Sequence, residues 1–518
     1  MFPTFFLFTC MKSTIAPIAI SFALGIFFAH TLLPASAVWW AVVAAVALAV
    51  AVLPIASSRS SFLFRHPSCQ LLMLLPIAAS GTVAALVQTN TNKPYYPEKA
   101  DKYDIIIMSE SSEKRNLITT EAIITTGPFA GKKIDAKFSR DIFVNALPHP
   151  GHGFQIYGRL TKPNDSKTSN YSYSRQLQTR GIYHTIFIAK GNCLPKTVSL
   201  DGLSLLQQAR LGALKLRHSA IETYRKAGLY GDVLAIVSAM SLGDKSKVSK
   251  DLYDNYSNTG AAHILALSGT HLTIIFLLLS FLLTHYARKW YGMALLLCLI
   301  WTYVFFTGMS SSLLRSALML TVLSISDLSS RGRNRVNSLS IAAMLVMLDN
   351  PIAVFDIGFQ LSVAAVFAIV AMFPIIQLKK RLTINKREHY LLKYLCHPLF
   401  NYLFFNLLIF LLTTPLIAYY FGRIPTYFLL SNLIIVPSAT IILYLSVATL
   451  LLSFLPFATQ ATAWLLNIGI NAINYVLATL ASLPLPYISI SKMSLFTLFL
   501  SYSPVILVWK LICVIKHR

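Results

Sequence analysis

The chain has 518 residues, of which 55% are hydrophobic and only 12% are charged. Soluble domains carry about 25% charged residues because their surface must be polar, so this composition excludes a soluble enzyme, a disordered chain and a disulfide scaffold. The formal net charge of +25 is partly explained by the excess of Lys and Arg that membrane proteins carry in cytoplasmic loops. We therefore predict a polytopic α-helical membrane protein with about 11–12 spans.

Three apolar runs open the sequence, at about residues 14–33, 38–56 and 69–88. Each run is long enough to cross the hydrocarbon core of a bilayer as a helix. We assign residues 1–89 to three N-terminal transmembrane helices.

Residues 90–200 have a different character, with short alternating apolar stretches separated by Gly and Pro turns. Segments such as 117–124 and 154–160 are typical of strands in a small antiparallel β domain. About five strands in this length favour a small OB-like β-barrel. Residues 91–229 hold 21 Lys and Arg against 11 Asp and Glu, a net charge of +10 that indicates a polyanionic ligand or the lipid surface.

Residues 201–229 predict an amphipathic linker helix, in which Leu203, Leu206, Leu214 and Ile221 form the apolar side. Two placements are open for this helix. It lies on the membrane surface, or it packs against the β domain.

Residues 230–518 are hydrophobic again and form the predicted channel domain. Nine candidate spans cover about 262–284, 290–307, 310–327, 337–349, 353–377, 398–420, 427–455, 460–482 and 494–514. The fourth is too short to cross alone. The seventh is too long and contains Pro437, so a broken or re-entrant helix is predicted for either of these two.

The basic loops give a consistent orientation for these spans. With the N-terminus inside, the positive clusters between and after the spans all fall on one side, as the positive-inside bias requires. Both termini are then cytoplasmic, and the β domain lies outside the membrane on the opposite face.

Residues 241–275 are the most informative stretch, because their polar first half leads directly into a span. Asp244 lies in the polar half, and His263, Ser268, Gly269 and His271 lie where a glycine break meets the membrane. Polar groups at this depth need internal partners and often line a cavity, which makes these residues pore or transport candidates. The alternative is a helix-entry motif whose histidines are hydrogen-bonded in the packed interior.

Arg315 and Asp356 are charges within predicted spans, each costing about 2.5–3.5 kcal/mol at the centre of a helix. Gln360 lies one helical turn after Asp356 and shares its face. Arg315 is predicted to face a pore for a polyanion or to pair with Asp356 as a structural clamp.

The β domain combines positive charge with aromatic residues, which is how proteins hold single-stranded nucleic acid. The alternative is an ordinary β core with a solvated basic face. The DNA-binding candidates are Lys132, Lys133, Lys137, Arg140, Tyr157, Arg159, Tyr171 and Tyr173, with Phe138, Phe143 and Phe154 interleaved among them.

Motifs for metal or nucleotide chemistry are weak. His149 and His152 come nearest to a metal pair, but no carboxylate or Cys ligand accompanies them in the sequence. Residues 127–132 come nearest to a phosphate-binding loop and depart from its pattern. We therefore predict no metal site, no cofactor and no enzymatic activity.

Four motifs occur in an order that resembles the ComEC competence-protein family, the inner-membrane channel for incoming DNA. The first, within residues 243–271, is GDK followed by TGAAHILALSGTH, and the second, residues 308–319, is GMSSSLLRSALM. The third, residues 356–362, is DIGFQLS. The fourth, within residues 415–437, consists of Pro415, Phe421-Gly422, Asn432 and Pro437. Thr270 stands where the family commonly has Leu.

The polar region is similar to the family as well. Residues 158–160 and 180–182 match its Gly-Arg-Leu and Arg-Gly-Ile, whereas Tyr171 and Ser172 depart from its Phe-Asp pair. The family places an OB-like domain at this point. Its long members add a metallo-β-lactamase-like domain, and the metal motif of that domain does not occur here, so the chain is expected to be a short form without nuclease activity.

The resemblance implies a passive channel in the bacterial inner (plasma) membrane that takes up single-stranded DNA during natural transformation. The implied partners are single-stranded DNA, the lipid bilayer, an extracytoplasmic DNA receptor, a cytoplasmic helicase-type ATPase and a separate nuclease. The competing hypothesis is a secondary transporter of a small or lipid-linked anion, with Asp356 and His263 coupling protons. The large basic β domain disfavours it, because a small-solute carrier has little need of one.

Overall fold

A computed structural model describes part of the chain at the level of residues. The described residues are 15–32, 77–78, 80–85, 88, 95–97, 99–114, 116–143, 147–164, 172–200, 203–284, 286, 289–328, 335–382, 397–490 and 493–503. The predicted span at 38–56 lies outside them. Of the predicted span at 69–88, residues 77–78, 80–85 and 88 are described and are helical.

Helices make up most of the described chain. They are α1 Ala16–Leu32, α2 Tyr173–Gln178, α3 Leu205–Lys226, α4 Gly231–Val237, α5 Lys250–Asn258, α6 Gly269–Leu283, α7 Trp290–Phe306, α8 Ser311–Leu328, α9 Arg335–Asp349, α10 Ile357–Leu382, α11 His397–Phe421, α12 Phe428–Leu451, α13 Pro456–Ser482 and α14 Leu495–Ser501.

Four stretches of helix within the described residues are long and apolar enough to cross a membrane. These are Ser311–Leu328, Asn401–Phe421, Phe428–Leu451 and Pro456–Ser482. Their length and hydropathy identify a helical membrane protein, as the composition predicted.

The prediction of a broken helix at residues 427–455 is wrong, because α12 runs without interruption from Phe428 to Leu451 with Pro437 inside it. Proline removes one backbone N–H from a helix, and helices in membranes tolerate this where neighbouring groups satisfy the freed backbone. The short stretch at 337–349 forms α9, whose 15 residues span about 22 Å, less than the ~30 Å hydrocarbon core.

The chain divides into two compact units. The first contains residues 1–93, 318–422 and 491–518, and the second contains residues 94–317 and 423–490. In the first unit, α1 packs against α9 and the 3₁₀ turn Pro351–Phe355, with Phe22, Ile26 and Met347 buried between them. The second unit holds the β domain, α2 to α7, the start of α8, and the hairpin of α12 and α13.

The β domain is a mixed sheet. Its strands are β1 Asp101–Ile107, β2 Ser112–Lys114, β3 Leu117–Ile124, β4 Lys133–Ser139, β5 Gly153–Gly158, β6 Leu160–Thr161, β7 Ile182–Ile188 and β8 Cys193–Pro195. They follow the order β6-β7-β4-β3-β1-β5-β8, with β2 beside β3. Among the described strands, no pairing joins the two end strands β6 and β8, so closure of the sheet into a barrel is not shown.

Among the described strands of this sheet, every pair is antiparallel as predicted except β4 with β7, which run parallel. Parallel strands need a long crossover connection, and residues 140–181, which include β5 and α2, provide it. Ile105, Ile118 and Phe138 are completely buried in the core of the sheet. The alternation expected for strands breaks down in part of β1, where Ile106 is also buried because Leu211 and Leu214 of α3 pack on the other face.

Helix α3 joins the sheet to the helices of the same unit. Ser204 begins it with a capping box to Gln207. Leu211 and Leu214 pack on the sheet against Ile106 and Met108. Further along, Tyr224 is buried among helical side chains. The packed placement of this helix is therefore the one found, and Leu206, predicted on its apolar side, is exposed.

A second, two-stranded sheet closes the hairpin of α12 and α13. Its strands are β9 Arg423–Pro425 and β10 Tyr487–Ser489, which pair antiparallel. This pairing holds the segment before α12 next to the segment after α13.

Candidate functional site

Asp244 supports the loop that follows α4. That helix continues as a π-helical turn over Ser238–Leu242, and Gly243 ends the turn with a φ of 74°. The buried Asp244 carboxylate accepts hydrogen bonds from the backbone N–H and the hydroxyl of Ser246, both at 3.0 Å. This is an Asx-type turn, so Asp244 shapes the loop through its own neighbours. A Cβ on Gly243 would lie 3.1 Å from Leu267, which places the loop against the next part of the motif.

Gly260 allows the chain to approach the start of α12 closely. It has a φ of 82°, and a Cβ there would lie about 3 Å from side-chain atoms of Phe428 and Pro425. The hydroxyl of Ser431 donates to the carbonyl of Thr259 at 2.7 Å. His263, which is exposed, donates from Nδ1 to the carbonyl of Gly260 at 3.1 Å.

Ser268 and His271 together form the N-terminus of α6. The backbone N–H of Ser268 donates to Nδ1 of His271 at 3.2 Å, and the Ser268 hydroxyl donates to the same nitrogen at 3.0 Å. Because Nδ1 accepts both bonds, this imidazole is neutral and carries its proton on Nε2. Thr270 donates to Ser268 Oγ at 2.6 Å, so its hydroxyl joins the cap.

Gly269 brings α6 against α8, where Arg315 is found. A Cβ on Gly269 would lie 2.7 Å from Ser316 Oγ, a separation that ordinary packing does not allow. Arg315 precedes that serine and is buried, with 5% of its surface exposed. The start of α6 and the arginine are thus neighbours within the second unit.

Asp356 and Gln360 belong to the first unit, where they hold the start of α10. Asp356 is buried and accepts a hydrogen bond from the backbone N–H of Gly358 at 3.0 Å, in the manner of an N-cap. Gln360 donates to the carbonyl of Val354 at 2.9 Å and accepts from the hydroxyl of Tyr420 at 3.0 Å. The pairing of Arg315 with Asp356 stays a prediction.

Arg217 is a site residue to which sequence reasoning gave no role. It is buried on α3 and donates to the carbonyl of Thr307 at 3.2 Å. Thr307 caps the C-terminus of α7, where the helix dipole favours a cation. Gly308 follows with a φ of 87°, and a Cβ there would lie 2.6 Å from Leu214. Gly308, the first residue of the second motif, therefore lies where α3 packs against the end of α7.

The outer side of β4 brings Lys137 and Tyr173 together. The ammonium of Lys137 lies 5.4 Å from the centre of the Tyr173 ring and 3.5 Å from Asp135 Oδ2. Tyr173 donates to the same carboxylate oxygen at 3.1 Å. Burial raises the pKa of Asp135, and Lys137 and Tyr173 oppose that rise.

Phe187 is an exposed aromatic residue that sequence reasoning missed. It lies opposite Lys137 in the parallel pairing of β4 and β7, and 55% of its surface is exposed. The signal was present in the alternation of β7, where Ile182, His184, Ile186 and Ile188 face inward and Phe187 is out of phase. We call Lys137, Tyr173 and Phe187 the outer patch.

The other predicted DNA-binding residues have varied surroundings. Burial and the charge of Arg210 lower the pKa of Lys133, and Arg140 pairs with Glu113 at 2.7 Å. Lys132, Tyr157 and Arg159 are exposed, and Arg159 donates to the carbonyl of Pro97 at 3.2 Å. Tyr171 lies outside the described residues. Phe138 and Phe154 are core residues and Phe143 packs against them, so this part of the aromatic prediction is wrong.

The fold also assembles a group that the sequence did not suggest. Glu110 lies between His149 and His218, with one carboxylate oxygen 3.4 Å from Nδ1 of His149 and the other 3.1 Å from Nδ1 of His218. The carboxylate that His149 lacked in the sequence is thus supplied from another loop. Among the described residues, these three form a group able to hold a metal ion.

Comparison with known proteins gives two matches. A family model described as "Competence protein" matches residues 240–514, just over half of the chain. "ComE operon protein 3" of Bacillus subtilis (strain 168) is 26% identical over 230 residues, which make up 44% of this chain and 28% of that protein. The match therefore spans less than a third of that relative. No solved structure matches.

Proposed function

This chain belongs to the competence protein family, and from that premise we propose that it is a channel for the uptake of single-stranded DNA across the inner membrane during natural transformation. The observation that carries the proposal is the family match, because residues 240–514 include the motif residues around Ser268, His271, Arg315 and Asp356. The similarity to ComE operon protein 3 of Bacillus subtilis supports the same role.

The β domain supplies a surface with the chemistry that single-stranded DNA requires. Such strands are held by positive charge along the backbone and by aromatic rings that stack on bases. The outer patch offers both, with Lys137 beside the exposed ring of Phe187, and Lys132 and Tyr157 are exposed elsewhere in the domain. We infer that this domain receives the strand on the extracytoplasmic side.

An OB-like identity for this domain is part of the proposal. The OB-fold is a partly open, five-stranded Greek-key barrel. Five longer strands, β1, β3, β4, β5 and β7, with an open path of pairing, support it. The remaining short strands lie at the ends of the path or beside β3.

The helices of the second unit provide the passage in this proposal. The Ser268 backbone N–H donates to Nδ1 of His271, and Arg315 is a buried cation that directly precedes Ser316, the residue against which Gly269 packs, so in this proposal both residues serve the passage of a polyanion. The pore is passive, with cytoplasmic termini, and a receptor outside, a helicase-type ATPase inside and a separate nuclease complete the process.

The test is entry of labelled DNA into the cytoplasm of a host whose own gene has been deleted. Complementation with this chain restores entry, and Lys132→Ala with Lys137→Ala lowers it because two backbone contacts are lost. The matched control, Lys132→Arg with Lys137→Arg, keeps both charges and most of the entry. Binding of single-stranded DNA by the purified full chain shows the same order, and its salt slope falls by about two for the alanine variant.

Two outcomes would contradict this proposal. Deletion that leaves DNA entry unchanged removes the role in uptake. Deletion that instead abolishes flux of a small anion supports a secondary transporter.

A further inference from the structure

Glu110, His149 and His218 come from three separate parts of the second unit. Glu110 follows β1, His149 lies in the turn before β5, and His218 lies in the middle of α3. One ligand atom from each residue lies within 4.8 Å of the other two. The cluster therefore lies where the sheet meets the helix that joins it to the rest of the unit.

Hydrogen bonds to the backbone fix the two loops before any ion binds. The hydroxyl of Ser111 donates to the carbonyl of Pro148 at 2.6 Å, which ties the Glu110 loop to the His149 turn. The N–H of Gly151 donates to the carbonyl of Ile107 at 2.9 Å, so the same turn is also held to the end of β1. A metal site needs this kind of preorganisation, because ligands on loose loops lose entropy when they bind.

The helix that carries His218 is equally constrained. Arg217 is buried and bonded to Thr307, and Leu214 is buried against the sheet one turn earlier. The His218 ring is tilted by 40° to that of His149, with ring centres 4.3 Å apart. Two imidazoles thus flank one carboxylate without any large movement of the backbone.

The donor atoms are close enough to share one metal ion. One ligand atom from each of the three residues lies within 4.8 Å of the others, and metal–ligand bonds of about 2.0–2.2 Å place neighbouring ligand atoms of a tetrahedron about 3.3–3.6 Å apart. The Nδ1 distances of 3.4 Å to His149 and 3.1 Å to His218 run to different oxygens of Glu110, so one of these oxygens would serve as the ligand. Two histidines and a glutamate form a ligand set that Zn²⁺ accepts, with a further position left for water.

We propose that Glu110, His149 and His218 bind a Zn²⁺ ion that joins the β domain to α3. Without the ion, each imidazole donates from Nδ1 to Glu110. On binding, Nδ1 of each ring ligates the metal and its proton moves to Nε2, so no net proton release is required. The Glu110 side chain is 7% exposed and those of His149 and His218 are 38% and 28% exposed, which leaves the water position on the solvent side.

The electrostatics of the cluster suit a cation at this point. Burial acts to raise the pKa of Glu110, but the hydrogen bonds from His149 and His218 and the positive charge of Arg217 outweigh it and hold the pKa below its ordinary value. The carboxylate is therefore an anion at neutral pH. Arg217 directs one guanidinium nitrogen to the carbonyl of Thr307.

The consequence for the molecule is a cross-link beside the second motif. Arg217 fixes α3 to the end of α7, and the neighbouring His218 would fix the same helix to two loops of the β domain through the ion. The orientation of the β domain on α3 is then held by the ion as well as by the packing of Leu211 and Leu214 on the sheet.

The experiment uses the full-length chain purified in detergent and stripped with a chelator. Zn²⁺ is titrated by competition with a metal indicator dye, and Co²⁺ is used as a spectroscopic probe of coordination. The wild type is expected to bind one Zn²⁺ per chain and to show the visible absorption of tetrahedral Co²⁺. Glu110→Gln and His218→Gln weaken binding by more than about 100-fold, since even outer-shell partners cost about 10–100-fold.

Glu113→Gln is the matched control, because Glu113 is an exposed carboxylate nearby that pairs with Arg140 outside the cluster. Zn²⁺ raises the melting temperature of the wild type and of this control, but not that of the two cluster variants. Melting in chelator shows whether each variant is folded, and glutamine at position 218 retains an amide donor for Glu110. If the wild type binds no Zn²⁺, or if Glu110→Gln binds it as tightly as Glu113→Gln, the three side chains are a hydrogen-bonded group only and the metal proposal fails.

Discussion

The His271 side chain caps the start of α6 through one ring nitrogen, and its other ring nitrogen remains a hydrogen-bond donor. The Nδ1 atom of His271 is committed to the backbone and hydroxyl of Ser268. The Nε2–H remains, and at 1% exposure this group is inside the protein. Of the two hypotheses for this histidine, the helix-entry role is the one supported by hydrogen bonds, and a pore role would act through Nε2.

Substitution of His271 separates the two roles. His271→Gln keeps the helix start, since Gln is a usual partner in a capping box. His271→Leu removes the acceptor and lowers the free energy of unfolding by about 0.5–2 kcal/mol, the usual cost of losing a cap. Thermal unfolding of the purified chain measures both, and equal losses for the two variants would refute the capping role.

At the scale of elements, the pairing of β4 with β7 creates the outer patch. Lys137 and Phe187 come from distant parts of the sequence and are placed side by side by a parallel register. The adjacent Tyr173 is held on the short helix α2 by its bond to Asp135. A surface of this kind can bind a strand without reading its sequence.

Phe187→Ala is expected to weaken the binding of single-stranded DNA to the full chain by about 1–3 kcal/mol, the cost of one lost stacking platform. Its salt slope stays unchanged, because no charge is removed. Leu194→Ala is the matched control, since Leu194 is an exposed apolar residue on β8 of the same sheet. Fluorescence anisotropy at several salt concentrations measures these values, and equal losses for both variants would exclude stacking on Phe187.

At the scale of the whole molecule, α8 is the helix that both units share. The division falls between Ala317 and Leu318, two residues after Arg315. Arg315 is buried within a helix long and apolar enough to cross a membrane, where charge is expensive and is kept where it has a role.

Arg315→Ala is expected to lower entry of labelled DNA by at least about tenfold while the amount of protein in the membrane is retained. Arg315→Lys keeps the charge and a larger share of the activity, although it loses the planar fork of donors. Immunoblots of membrane fractions accompany the uptake assay. Unchanged entry, or a loss that only follows falling abundance, would remove Arg315 from the pathway.

Much of this architecture was predictable, because hydropathy and alternation report directly on burial. The apolar runs predicted the helices, and the alternation of apolar residues predicted the strands. In β7 that alternation leaves Phe187 on the side opposite its buried apolar neighbours. Pro437 misled, because its effect on a helix depends on which groups surround it rather than on the residue itself.

The cluster of Glu110, His149 and His218 was beyond sequence reasoning for a different reason. The partners are 39 and 108 positions away from Glu110, so no local spacing links them. The pairing of two loops of the β domain brings His149 to Glu110, and the packing of α3 on the sheet brings His218 to both. The same holds for Arg217, whose partner is the backbone carbonyl of Thr307, a group that every residue carries.

The small β9–β10 ladder limits how the α12–α13 hairpin can move. It joins Arg423–Pro425 to Tyr487–Ser489, and Tyr427 adds a bond to the carbonyl of Pro484 at 2.7 Å. If one helix slid past the other by a turn, about 5.4 Å, every one of these bonds would break. The two helices of the hairpin can therefore tilt only together. Any gating motion in this region must take place without α12 and α13 sliding along each other.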